Sequence, residues 1–292
     1  MGETIFVSII SCRIFYMDNI YLLILIGFAI GTLGTLIGAG GGFILVPILI
    51  IMQPTFSPEI ITAISMVVVA CNATSGSVAY MSAKRVDYRA GIIFGLFTIP
   101  GSILGVFTTK FIPRNVFDII FGIVLFALAI FLFFKGGDKK SVEKPMVKNK
   151  GWVQQRLVDK WNEKYDYAYD LKKGSILSVF VGYFSPLLGI GGGIIHVPAM
   201  VEWLRFPVHI ATATSHFILA VMATVSVIVH IYQGSYSDPL ILKMSIGLII
   251  GVIPGAQLGA FLSRKIKGKM IIKALAVSLA IVGIRILISR FL

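Results

Sequence analysis

LIGAGGGFILVP (residues 36–47) and LLGIGGGIIHVP (187–198) decide how this chain folds. Each sets a cluster of glycines inside a long apolar stretch and closes on Val-Pro. Three successive glycines weaken a helix strongly, so each stretch reads as two helical pieces joined by an unwound segment. The two motifs lie 151 residues apart; TAIS (62–65) and TATS (212–215) lie 150 apart, and IPGSILG (99–105) and IPGAQLG (253–259) lie 154 apart. Three blocks in one order, at nearly constant offset, mark a duplicated unit.

Apolar runs surround these motifs at 20–53, 59–83, 90–112, 116–134, 174–204, 208–232, 239–263 and 270–289. A helix needs about 20 apolar residues to cross the hydrocarbon core. Six runs are about one span each; 20–53 and 174–204 are too long, and these carry the glycines. The 292 residues are 57% apolar and 13% charged, with mean hydropathy +0.92. A soluble domain is about 45–50% apolar and about 25% charged. The numbers therefore exclude a soluble globule, disorder, coiled coil and nucleic-acid binding as main themes. The expected fold is an all-α polytopic protein of the cell membrane. Its parts are a tail (1–19), a first membrane repeat (20–134), a basic cytoplasmic linker (135–173) and a second membrane repeat (174–292).

Charge decides between parallel and inverted repeats. The chain holds 26 Lys+Arg against 13 Asp+Glu, and 11 of the basic residues fall between Lys135 and Lys173. Basic loops stay on the cytoplasmic side. If each glycine-broken run crosses once, Lys84, Arg85 and Arg89 lie inside and six basic residues lie outside. If each run goes in and returns, Arg264, Lys265, Lys267 and Lys269 join the inner side, and only Lys110 and Arg114 remain outside. The second count favours two inverted five-segment repeats with both termini outside. Within the linker, Trp152, Leu157 and Trp161 fall near one helical face, which fits an interfacial amphipathic helix or an ordinary solvated connector.

Other terminal and cysteine features are bland. Glu3 and the short apolar stretch Phe6–Ile10 make no good signal peptide, and Met17 is an alternative start. Cys12 and Cys71 read as unpaired thiols.

Backbone unwound at membrane depth must be covered by protein or line a polar cavity, and broken helices are where transporters hold substrate. Gly40, Gly41, Gly42 and Gly191, Gly192, Gly193 each precede a short apolar helix. Their N–H groups could cradle an oxyanion, or the glycines could serve close packing. The next run in each half carries a polar stripe: Thr62, Ser65 and Asn72 in the first, Thr212, Ser215 and His216 in the second. Such hydroxyls line a site or act as helix glue. His196 follows the second glycine cluster, and Gln257 is the polar group within its span. His209, His216 and His230 share a face, but spacings of seven and fourteen residues put them about 10 and 21 Å apart, so no metal site is expected. Acidic residues are nearly absent from the spans; Glu59 and Glu202 lie at helix ends and Asp118 opens one. Without a carboxylate pair a cation site is disfavoured, and a small anion is the natural substrate. No cofactor is expected. A proton is the candidate coupling ion, through His216.

GTLGTLIGAGGGFILVP and GYFSPLLGIGGGIIHVP, followed by TAIS and TATSHF, resemble the sulfite exporter TauE/SafE family, also called the 4-toluenesulfonate uptake permease family. The resemblance covers the chain from about residue 20 onward. It implies transport of sulfur-containing anions such as sulfite or an organosulfonate. The expected activity is export of such an anion. A passive anion channel or a permease for another organic acid is the alternative within transport, and a membrane-embedded enzyme the alternative outside it.

Overall fold

The computed structural model describes residues 19–135 and 152–266, together with 270, 273, 276, 277 and 279–281. Cys12, Met17, the linker stretch 136–151 and most of the last apolar run lie outside the described residues. The chain is mostly helical, in the order α1 (Ile20–Ile37), α2 (Gly42–Met52), α3 (Pro58–Ser82), α4 (Tyr88–Thr109), α5 (Arg114–Lys135), β1 (Trp152–Val158), β2 (Lys164–Asp170), α6 (Leu171–Leu188), α7 (Gly193–Glu202), α8 (Val208–Tyr232) and α9 (Pro239–Lys265). Asn19, Ser57, Asp87, Asp170 and Asp238 cap helix starts with side-chain oxygens, which satisfies donors that have no intrahelical partner. Among the described residues, five helices, α1, α3, α4, α8 and α9, are long and apolar enough to cross a membrane. Leu25, Leu104, Phe180 and Ile231 are exposed, while Thr35, Asn72, Ser215 and His216 are buried. Apolar outside and polar inside is the arrangement lipid demands.

Both glycine clusters break their helices. Residue Gly38 closes α1 at φ 80°, and Gly189 closes α6 at φ 67°. That left-handed backbone is adopted most readily by glycine, which has no Cβ to clash. Pro100 and Pro254, by contrast, sit inside the unbroken helices α4 and α9.

Helix directions follow from the close contacts. A Cβ added to Gly251, Gly255 or Gly259 of α9 would meet Ile24, Phe28 or Thr32 of α1 in turn, so α1 and α9 run parallel. The same test pairs Gly101 with Val179 and Gly105 with Tyr183, so α4 and α6 run parallel. Helix α3 runs parallel to α9, with Ser75 bonded to Ile253 and Gln257, and Tyr80 near Ala260. Helices α3 and α8 are antiparallel: Ala63 meets Tyr236 past the end of α8, Gly76 meets His216, and Tyr80 clusters with Ala213. The short helices double back. Arg114, at the start of α5, donates to Ile50 and Phe56 at the end of α2 and beyond it. Helix α7 returns to the end from which α6 departs, where Met200 and Leu204 join Tyr167 and Tyr169.

The linker corrects two expectations. Residues 152–161 are not an amphipathic helix, and the fold is not all-α. Strands β1 and β2 form an antiparallel hairpin with Trp152 opposite Asp170 and Val158 opposite Lys164. Tyr167 and Tyr169 turn inward against Phe206, with ring centroids 4.9 and 4.7 Å away. The Tyr167 hydroxyl donates to Asp87 Oδ2 at 2.8 Å. Burial, then the Asp87 carboxylate, pushes that hydroxyl far above its ordinary range, so it stays a donor. At the hairpin tip, Arg85 binds Asp159 at 2.9 Å with both side chains buried.

Candidate functional site

The two glycine breaks meet backbone to backbone. A Cβ on Gly42 would strike the Gly189 and Ile190 carbonyls, and one on Gly193 would strike Gly38 and Ala39. Thr62 lies over Gly189 and Thr212 over Gly38, a matched pair of contacts between the halves. Their hydroxyls do not face the loops. The Thr62 hydroxyl donates to Pro58 and Glu59, and that of Thr212 to Val208, so each bonds to its own helix.

The polar groups around the breaks are not symmetric. Asn72 Nδ2 donates to the Gly40 carbonyl at 2.8 Å, and Asn72 Oδ1 accepts from Thr35 Oγ1 at 2.8 Å. His216 Nε2 lies 3.1 Å from the same Thr35 hydroxyl. Because the Thr35 proton goes to Asn72, Nε2 is the protonated ring nitrogen and donates to Thr35. The Tyr80 hydroxyl donates to the Thr35 carbonyl at 2.7 Å, and its ring stands edge-on to His216 at 5.7 Å. At the second break, Ser65 of α3 donates across the halves to the Gly189 carbonyl at 2.5 Å. Among the described residues, the buried hydroxyls of Ser185 and Ser215 have no hydrogen-bond partner, and His216 Nδ1 has no side-chain partner, with the Gly38 backbone a polar neighbour of its ring across the halves. Unpaired buried groups of this kind are costly in a resting fold, and they are what an incoming polar ligand could satisfy.

The glycine amides are not all equivalent. Gly40 N–H donates to the Gly34 carbonyl at 3.2 Å. The N–H groups at the starts of α2 and α7 precede the first helical acceptor. No carboxylate accepts a hydrogen bond from Thr35, Ser65, Asn72, Tyr80 or His216 among the described residues.

Gln257 stands apart. It is exposed and donates to the carbonyl and hydroxyl of Ser75 at 2.7 and 2.9 Å. It lines a cavity beside the hairpin tip rather than the glycine loops. His196 turns to the far side of α7, 3.2 Å from Ser178 of α6. His230 bonds through Ser235 toward Glu59. Thr35 and Tyr80 were missed by the sequence reading. Thr35 lies within the quoted glycine motif's lead-in, GTLGTLIG, but nothing local says that its hydroxyl links Asn72 to His216.

A polytopic helical protein with paired glycine breaks enclosing buried donors has the build of a membrane transporter. The profile of the Sulfite exporter TauE/SafE family matches residues 23–286, and the chain belongs to that family. It is 30% identical over 272 residues to the probable membrane transporter protein YunE of Bacillus subtilis, covering 91% of this chain and 96% of YunE. It is 27% identical over 281 residues to a probable membrane transporter protein of Methanocaldococcus jannaschii, covering 91% and 95% of the two chains. A further relative, a probable membrane transporter protein of Haemophilus influenzae, is 24% identical over 260 residues, covering 87% and 88%. No solved structure matches the chain significantly. The protein is a multi-pass membrane transporter.

Proposed function

We propose that the protein exports a small sulfur-containing oxyanion, sulfite or an organosulfonate, and binds it between the two glycine breaks. The observation that carries this reading is the meeting of the breaks around buried amide, hydroxyl and imidazole groups that no carboxylate engages among the described residues. Donors without fixed negative charge favour an anion. Gly41, Gly42, Gly191, Gly192 and Gly193 offer amides, Ser215 a hydroxyl, and His216 an Nδ1–H once it takes up a proton; Asn72 and Ser65 bond the loop carbonyls, and Thr62 and Thr212 pack against the loops. The loops touch in this conformation, so the anion enters as they part. A proton moves with it through His216.

The halves are inverted repeats in this reading. Supporting it, α3 and its sequence equivalent α8 run antiparallel, as do α4 and α9. The doubling back of α2 and α7 agrees with the charge count that puts 84–89 and 264–269 on one side.

Flux of sulfite, thiosulfate, sulfate and alkylsulfonates in proteoliposomes tests the substrate. Uptake of a carboxylate but of none of these anions overturns the assignment. Single cysteines at Lys84, Lys265 and Lys110, in a chain lacking Cys12 and Cys71, test the topology. An impermeant reagent outside should reach residue 110 and spare 84 and 265; labelling of 265 without 84 restores parallel repeats.

A further inference from the structure

Beside the hairpin tip, between the ends of α3 and α9, lies a cavity of about 290 Å³. Arg85, Lys160 and Arg264 line it, with Val78, Ala260 and Phe261 as apolar wall. Trp161, from the hairpin, also lines it, and the guanidinium groups of Arg85 and Arg264 lie over its ring at 4.9 and 5.0 Å. Tyr80 lines it as well. The same Tyr80 bonds to Thr35 and contacts His216, so its side chain reaches from this cavity to the glycine centre.

The three cations are not equally committed. Arg85 gives Nε and one terminal nitrogen to Asp159 at 3.0 and 2.9 Å, and Glu163 stands 3.8 Å away. Arg264 and Lys160 face no carboxylate among the described residues. A guanidinium stacked over an indole uses its face and leaves its in-plane N–H groups for an oxyanion. A cavity of one charge sign with apolar walls concentrates ions of the other sign. Its volume approaches the lower end of small-ligand pockets, about 300 Å³. The apolar wall gives a reason to prefer an anion with a small organic body.

Resting on the transport reading, we infer that this cavity is a collecting site for the transported anion on the hairpin side, and that it favours an organosulfonate over a bare inorganic ion. Arg264 and Lys160 hold the sulfonate, Val78 and Phe261 face its apolar end, Trp161 forms the wall above, and Tyr80 reaches on to the glycine centre. The hairpin that joins the halves thereby supplies two walls of the passage. An anionic phospholipid head group carries related chemistry, and the test separates the two sources.

Trp161 is the probe. With Trp152 and Trp203 changed to Phe, its fluorescence in lipid-free detergent is titrated with 1-propanesulfonate, with sulfite and with a short-chain phosphatidylglycerol. The expected result is a saturable change with propanesulfonate at lower concentration than with sulfite. Arg264→Gln should weaken it about tenfold, and Lys160→Gln should weaken it less. In proteoliposomes, Arg264→Gln should raise KM for propanesulfonate presented on the hairpin side and leave kcat near wild type. Response to the phospholipid alone, a flat titration, or identical titrations for wild type and Arg264→Gln each overturn the site. Flux of oxyanions with a flat titration removes the site and leaves the transport reading standing. Arg264-dependent binding without flux of any oxyanion removes the transport reading and leaves an anion site.

Discussion

Replacing Asn72 by Leu tests what holds the first glycine break. Asn72 makes two buried 2.8 Å bonds, one to the Gly40 carbonyl and one from Thr35. The two losses are unequal. Thr35 has His216 Nε2 at 3.1 Å; once Asn72 is gone, the imidazole can carry its proton on Nδ1 and accept from Thr35 through Nε2. The Gly40 carbonyl has no such substitute in its loop. One stranded buried acceptor costs about 1–3 kcal/mol, against about 2–6 kcal/mol if both groups were stranded. At about 2–4 °C per kcal/mol for a chain of this size, the single orphan lowers the melting temperature by about 2–12 °C. Thermal unfolding of purified protein in detergent reads this directly. Adding His216→Phe removes the substitute acceptor, so the double variant should lose more than the sum of the single losses. A melting temperature within about 1 °C of wild type for Asn72→Leu, or strict additivity in the double variant, would refute the reasoning.

Gly42→Val and Gly193→Val should insert into the membrane yet abolish flux, because each Cβ meets backbone of the opposite loop; normal flux in both would leave the glycines without a transport role. His216→Gln keeps a donor and removes titration, so anion binding should persist while the pH dependence of flux across about pH 5.5–8 flattens. An unchanged profile rules out His216 as the proton carrier. Tyr167 has a raised folded-state pKa, so the unfolded chain releases that proton first. Its contribution is complete below about pH 10 and declines above it. Tyr167→Phe should lose a charge-assisted bond of about 1.5–3 kcal/mol at pH 8 and show a shallower alkaline fall in thermal stability; a fall as steep as wild type would contradict this.

The glycine breaks were legible because two facts coincide in the sequence: runs too long for one span, and glycines where a helix could not continue. The hairpin was not. WVQQRLV (152–158) carries a spacing that suits helix or strand, and the deciding signal sits in its partner. KYDYAYD (164–170) places Tyr165, Tyr167 and Tyr169 at alternate positions, the period of a strand, and a reading confined to the first segment passed over it. Gln257 shows a different limit. Its polarity within an apolar run was plain, but the face it occupies depends on how α9 packs against α3. The contact between Thr35, Asn72, Tyr80 and His216 joins residues up to 181 positions apart, and no local pattern encodes it. The glycines at 247, 251, 255 and 259 form a four-residue ladder, the small-residue spacing that lets membrane helices approach closely, and the sequence reading passed over it as well.

That ladder has a consequence for how the chain is made. Helix α1 has its most extensive packing with α9, and α4 with α6, so both partnerships join the first half to the second. During synthesis α1 waits for more than two hundred residues before its partner leaves the ribosome, and the first half meanwhile presents bare glycine faces to lipid. Neither half is therefore a self-sufficient folding unit. Two separately produced halves should assemble only when present together. A single ancestral half could have made the same contacts only by exchanging helices with a second copy of itself.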